Sequence, residues 1–466
     1  MSNSRSKYLL KNTAIFTLGS LGSKVITFFL IPLYTNSLTT EQYGIVDLIV
    51  TINTVLVPIL TLNICESVMR FALDENADRE QISHIGQRLY FISILLALAL
   101  IPIFNLIPNI SKYAVYISLY IITFAASQLF LCDLRGKEML LHYSIGSILE
   151  TLLIGVFNVL FLVVFKWNIK GYLSAYIIAF AITALYGFVV GKCYRAFKTK
   201  INNIKLVKEM IKFSVVLIPN SFMWWIINSS DRIMVSWLLG ASYNGIYAVS
   251  YKLPTLVSSF TLIFNRAWSY SAIKEEGAAD ENEFNNKIFE YLTSIAMLVG
   301  IGLLVVCKPF LKIYVASEFY EAWRYMPFLT VGFVFLTLAD FIATSFTVHK
   351  DSFGFLFSGI TGAILNIALN YLLIPRIHIY GAAIATCVSY ISVFVFRLCY
   401  SKKYICYNIM NRKFIVGTVL LIISSCVAFC NGVVFYLVNV IVIVVAIIIN
   451  KDIIIEIINK VKKLKR

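Results

Sequence analysis

Ionisable side chains inside apolar runs are where this sequence could do chemistry. Lys24, Arg232, Lys252 and Arg397 fall within such runs, and Arg70 and Arg266 stand at run ends. A charge at bilayer depth is costly and usually faces a cavity or a partner. Lys24 sits about ten residues from either end of its spanning-length run, too deep for the ammonium to reach an interface with ease, and Lys252 is similarly placed in the equivalent region of the second lobe. Lys24, Arg232, Lys252, Arg266 and Arg70 therefore form a candidate cationic cavity for an anionic substrate. Structural pairing competes with that reading, for instance Lys24 with Asp47. Arg397 is close enough to an inner run end for its head to reach the headgroups.

The acids in these runs are Asp47, Glu66, Glu150, Asp231 and Asp340. Asn366 and Asn370 lie one helical turn apart on one face, and Thr386 is on the next run. With Asp231 they offer oxygen ligands and one negative charge, a set that suits a monovalent cation better than a divalent one. Asparagine pairs also bond membrane helices to each other, so the same spacing admits a purely structural use. His84, His142, His349 and His378 fall between the runs, which argues against a histidine proton relay. No nucleophile elbow, P-loop or HExxH pattern occurs, and no enzymatic activity is expected. The nine cysteines show no framework or metal-ligand spacing, so neither disulfides nor a bound metal follow from them.

The elements that position these groups are membrane helices. The 466 residues are 59% hydrophobic and 14% charged, against about 25% charged in soluble domains. Apolar runs long enough for a bilayer core of about 30 Å number roughly fourteen, from 14–33 to 433–449. The net charge of +16 calls for no nucleic acid, because the cations cluster between runs. Roughly 29 of them fall on one side, which by the positive-inside rule is the cytoplasm, together with both termini. The segment 192–212 is the most basic, and Ile201, Ile204, Val207, Met210 and Ile211 recur through it at helical spacing. It reads as an amphipathic helix on the anionic inner leaflet or as a solvated basic loop.

The chain also repeats itself. The stretch from Leu38 to Ile45 aligns with that from Leu239 to Ile246, and Ile169-Lys170-Gly171-Tyr172 aligns with Ile379-Tyr380-Gly381-Ala382. Two parallel six-helix lobes, 1–200 and 201–400, followed by a helix pair and basic tail over 401–466, are the expected all-α polytopic architecture. Pro32, Pro58, Pro219 and Pro254 interrupt the opening helices of each lobe, where kinks can serve as hinges.

Phe29-Leu30-Ile31-Pro32-Leu33-Tyr34-Thr35, the Leu38–Gly44 turn, Asp231-Arg232 and the Tyr380–Thr386 stretch together resemble polysaccharide biosynthesis flippases of the Wzx type. These belong to the superfamily of multidrug, oligosaccharidyl-lipid and polysaccharide exporters, and the resemblance covers nearly the whole chain. It implies a multi-pass protein of a bacterial cytoplasmic membrane that turns undecaprenyl-pyrophosphate-linked oligosaccharide repeats from the inner to the outer leaflet by alternating access. Lys24, Arg232 and Lys252 would meet the pyrophosphate, and Trp224, Trp225, Tyr247 and Tyr251 could stack on sugars. The implied partners are the lipid-linked oligosaccharide, membrane lipids, and a polysaccharide polymerase with other assembly proteins. In related lipid II flippases an acid of the seventh helix and polar residues of the eleventh and twelfth bind sodium, a pattern that Asp231, Asn366, Asn370 and Thr386 match. Asn370 departs from it, standing where an acid is expected, so sodium or a proton is the implied coupling ion. The alternatives are a cation-coupled drug antiporter of the same superfamily, whose cavity would be acidic, and a polysaccharide polymerase or ligase, which would carry a large outer loop with arginines.

Overall fold

The computed structural model describes residues 26–456, apart from 75, 200–202, 260–263, 266–267, 269–271, 273–279 and 454 and the side chains of Lys198 and Asn220. Lys24 and Arg266, two cations of the expected cavity, lie outside the described residues, as does the basic tail.

With no water at bilayer depth, each backbone N–H and C=O must be satisfied within its own segment, and the apolar runs fold as helices. Ten helical stretches among the described residues are long and apolar enough to cross a membrane, and Val433–Ile449 is a shorter apolar helix. The chain divides into two compact units, Met1–Trp225 and Ile226–Arg466.

Unit 1 contains α1 (described over 26–37), α2 (Thr40–Leu60), α3 (Ile64–Ala72), α4 (Arg79–Ala99), α5 (Ile101–Asn105), α6 (Ala114–Gly136), α7 (Leu140–Asn158), α8 (Asn168–Val190) and the first part of α9 (Ile204–Leu238). Helix α8 packs against both α6 and α7. The Leu38–Gly44 motif is a helix start. Thr39 accepts from the Gln42 N–H while the Gln42 side chain accepts from the Thr39 N–H, a reciprocal capping box.

Unit 2 holds the remainder of α9, then α10 (Ala241–Ser250), α11 (Glu281–Tyr314), α12 (Met326–Val348), α13 (Ser352–Ile377), α14 (Ile379–Ser401), α15 (Arg412–Val427) and α16 (Val433–Ile449). Helix α14 packs along α13 and α12. The glycine of the repeated motif explains this closeness. A Cβ on Gly381 would stand 2.5 Å from the Leu373 carbonyl carbon, and one on Gly171 would stand 3.1 Å from the Phe161 carbonyl oxygen. In each unit glycine lets the start of a helix lie on the backbone of the segment before it.

Three sequence expectations change here. The basic segment 192–212 is not one surface helix. Cys193–Lys198 forms a short 3-10 stretch, and α9 begins at Ile204. Met210 is fully buried among Ile64, Val68, Ile82, Ile85 and Leu129, with Leu206 and Val207 beside it. Met210 and Val207 of the stripe are packed against unit 1's own core, whereas Ile204 is 71% exposed and Ile201 lies outside the described residues. His84 and His142 lie in helices, not loops; the polar first turn of α4, Arg79-Glu80-Gln81, hid that helix's start from a reading based on apolar runs. Finally, the expected span over 246–265 breaks at Tyr251–Pro254, a non-helical turn that contains Lys252. Proline cannot donate the next helical bond.

Candidate functional site

Asp231 is the centre of the polar cluster in unit 2. It is fully buried near the end of α9. Its Oδ2 accepts from the Tyr247 hydroxyl at 2.6 Å, the Thr386 hydroxyl at 2.9 Å and the Tyr251 hydroxyl. Its Oδ1 accepts from the Arg232 backbone N–H at 2.8 Å. Hydrogen bonds to an ionised acceptor are about twice as strong as neutral ones, so this carboxylate is held by donors from α9, α10, the Tyr251 turn and α14.

The asparagines form the second layer. Asn370 Nδ2 donates to Asn366 Oδ1 at 2.8 Å, Ser230 Oγ donates to the same oxygen at 3.0 Å, and Asn366 Nδ2 reaches Thr386 Oγ1 at 3.4 Å. Asn366, Asn370 and Thr386 are fully buried. Asn370 Oδ1 has no hydrogen-bond partner among the described residues. An orphaned buried carbonyl is uncommon and marks a place for an unseen water or ion. The local oxygen set comprises one carboxylate, two amides and four hydroxyls. Its single negative charge fits a monovalent cation.

The structure brings together Asp231, Asn366, Asn370 and Thr386. Arg232 joins them from the side, its guanidinium 4.8 Å from the centre of the Tyr251 ring, and Lys252 follows Tyr251 in the same turn. Arg70 stands elsewhere, at the exposed end of α3, paired with Asp74 at 2.6 Å.

Tyr247 and Tyr251 take a different role from the one expected. At 0% and 1% exposure they present no face to a sugar, and their hydroxyls serve Asp231. Their i, i+4 spacing puts both on one side of the chain. With an acid on the preceding helix, that spacing was the available signal. Trp225 donates its indole N–H to the Thr51 carbonyl and to Thr54 Oγ1, both at 3.1 Å.

Arg397 also departs from expectation. It does not reach the headgroups: its side chain is 0% exposed and bonds Asp340 at 2.9 Å, the Ala339 carbonyl at 3.0 Å and Ser358 Oγ at 3.1 Å. Partners on α12 and α13 hold it inward.

Unit 1 contains a cavity of about 270 Å³ whose lining includes Thr61, Asn63, Glu66, Tyr90, Phe124 and Gln128. It lies where the chain breaks between α2 and α3 at Leu62 and Asn63, both with left-handed backbone, φ 51° and 53°. Non-helical backbone at such a depth belongs beside a cavity.

A model of the polysaccharide biosynthesis protein family matches residues 9–270. An uncharacterized membrane protein of Methanocaldococcus jannaschii is 24% identical over 314 residues, 60% of this chain, and the match spans 57% of that relative's length. Among solved structures, a lipid II flippase MurJ in an inward closed conformation superposes with a TM-score of 0.72 at 14% identity, covering 95% of this chain and 100% of that one. An inward-facing multidrug resistance MATE family transporter of the MOP superfamily gives 0.63 at 12% identity, covering 83% and 94%. At these identities the structural likeness shows the fold.

Proposed function

We propose that this chain, which belongs to the polysaccharide biosynthesis protein family, is a flippase that carries an undecaprenyl-pyrophosphate-linked oligosaccharide repeat from the inner to the outer leaflet of a bacterial cytoplasmic membrane. The observation that carries the reading is the Asp231 cluster: a buried ionisable hub beside a broken helix, flanked by Arg232 and Lys252. Discontinuous helices at bilayer depth are where transporters of this general kind place their sites. Two cations beside such a break suit a pyrophosphate, which a neutral cavity would not stabilise. The mostly apolar cavity of unit 1 also carries amides, a carboxylate and two aromatic rings, chemistry that sugar hydroxyls and ring faces require.

In this reading the two lobes rock alternately, both termini are cytoplasmic, and the ion exchanged at Asp231, Asn366, Asn370 and Thr386 is sodium or a proton. A polymerase that joins the delivered repeats is the natural partner.

The test is reconstitution of the full chain in liposomes with lipid-linked repeat units bearing a fluorescent sugar. Flipping is read as the fraction quenched by an impermeant reagent. Flipping well above that of protein-free vesicles is expected. Efflux of an organic cation with no flipping would replace this reading with the drug-antiporter one.

A further inference from the structure

One acid of unit 1 belongs to neither the ion hub nor the cationic set. Glu150 lies in α7, about 15 Å along the axis from its start, which is bilayer depth. Ser127 of α6 donates its hydroxyl to Glu150 Oε2. None of the ion pairs of unit 1 among the described residues includes Glu150. The nearby phenols are Tyr120, two turns before Ser127 on the same face of α6, and Tyr176 of α8, on which it stacks with ring centres 5.9 Å apart. Between α7 and α8 the other titratable pair, His142 and Tyr186, is bonded to itself at 3.2 Å near the start of α7. Tyr143, beside His142, lies under the Arg135 guanidinium of α6 at 5.3 Å.

The phenols continue away from Glu150 as a chain. Tyr172 stacks on Tyr176 with ring centres 4.7 Å apart, Tyr34 of α1 meets Tyr172 at 4.9 Å, and Tyr43 of α2 stacks on Tyr34 at 6.3 Å. The Tyr34 and Tyr176 hydroxyls are 3.4 Å apart. Tyr34, Tyr43 and Tyr172 lie at the ends of their helices where α1 stops and α2 and α8 begin. The chain therefore runs from that end of unit 1 inward.

The partner chemistry separates two uses of a membrane acid. One that holds a fold together is paired with a cation or bonded on both oxygens. Among the described residues Glu150 has a hydroxyl instead, and a hydroxyl can donate to a carboxylate or accept from a carboxylic acid. Both protonation states are then satisfied without moving the backbone, as a reversible proton site requires.

We propose that Glu150 is a proton-binding site of unit 1, separate from the Asp231 hub, that exchanges its proton through the phenols running from Tyr43 and Tyr34 to Tyr176. The step forms one O–H bond on the carboxylate, with Ser127 turning from donor to acceptor, and consumes only a proton. It rests on the transporter reading for what the proton drives, whereas the binding itself does not.

The experiment is infrared difference spectroscopy of the full chain in phosphatidylethanolamine–phosphatidylglycerol liposomes as the pH is stepped. No substrate is needed, so failure here leaves the flippase reading standing. The expected result is a carboxylic-acid band that disappears reversibly as pH rises, is lost in Glu150→Gln and persists in Asp340→Asn and Asp231→Asn. Should Glu150→Gln not fold, Glu150→Asp must retain the band at a shifted position. Tyr176→Phe should keep the band but slow its response to a pH jump severalfold. A band that persists in Glu150→Gln, or that never titrates in the parent, overturns the site. An unchanged exchange rate in Tyr176→Phe overturns the phenol route.

Discussion

Asp231 and Arg397 are both charged, both in unit 2 and both 0% exposed, yet their surroundings are opposites. Around Asp231 the side-chain donors are hydroxyls, which can rotate to present a lone pair. Around Arg397 the partners are a carboxylate, a backbone carbonyl and a serine, and Arg397 can donate to them but accept nothing. A ligand can enter the first arrangement by turning hydroxyls. It can enter the second only by stranding a buried charge. The difference fits the proposed reading, in which exchange belongs to Asp231 and fold maintenance to Arg397, although a sequence ranks both simply as intramembrane charges.

The largest expected effect comes from breaking the fixed pair. Arg397→Met leaves the Asp340 carboxylate without its cation and Ser358 and the Ala339 carbonyl without their donor; a fully buried pair broken this way costs about 3–5 kcal/mol, and the 40% exposure of the Asp340 side chain brings the cost below that range. Folded yield and the unfolding temperature in detergent should both fall steeply. Asp340→Asn should be milder only because the remaining amide oxygen can still accept from the buried Arg397 guanidinium. An Arg397→Met protein that folds as well as the parent but fails to transport would break the comparison, moving Arg397 to the functional side.

A smaller and differently signed effect is expected at the hub. Asp231→Asn is isosteric and keeps an acceptor for the hydroxyls, so the folded protein should persist while any sodium dependence of flipping is lost. Ligand linkage makes this measurable without transport. Sodium at ten times its dissociation constant adds about 1.4 kcal/mol to the stability of a protein that binds it. The unfolding temperature of the parent should rise with sodium against a choline control, and that of Asp231→Asn should not. An equal rise in both proteins removes sodium from this site.

These contrasts also mark what could be read from the chain. The helical architecture was legible because apolar length alone dictates membrane helices. Asp231, Asn366, Asn370 and Thr386 were legible as a group because polar atoms at helical spacing inside apolar runs must find one another. Tyr247 and Tyr251 were not, because a tyrosine in a membrane run reads as packing or an interface belt until its hydroxyl's partner is known. Lys252 was placed mid-helix since hydropathy does not register the break that Pro254 imposes. The burial of Met210 was not legible in its stripe, which read equally as a leaflet-facing helix or a solvated loop, because periodicity reveals an apolar face and not what covers it.

The smallest effect comes from a third kind of ion pair, outside the membrane runs. Asp351 caps α13, accepting from the Phe353 and Gly354 N–H groups at 3.0 and 3.2 Å, and it also receives Lys403 Nζ at 2.7 Å and the Tyr404 hydroxyl at 2.9 Å. The Lys403 ammonium foremost, with the Tyr404 hydroxyl and the Gly354 N–H, holds the Asp351 carboxyl down at about 2. Its unfolded value is about 3.9. The folded form thus binds its proton less readily than the unfolded one, so the stabilisation is complete above about pH 4 and is lost as the pH falls toward about 2. Lys403 is itself pushed upward by Asp351, which keeps the pair ionised throughout the neutral range. Asp351→Asn retains an acceptor for the cap but not the charge. It should lower the unfolding temperature only slightly at neutral pH, and less still in high salt, since the Lys403 side chain is 44% exposed. The gap between parent and variant should close as the pH is lowered through that window, because the parent's own carboxyl then becomes neutral. A gap that widens on acidification would mean that the cap, and not the ion pair, is what Asp351 contributes.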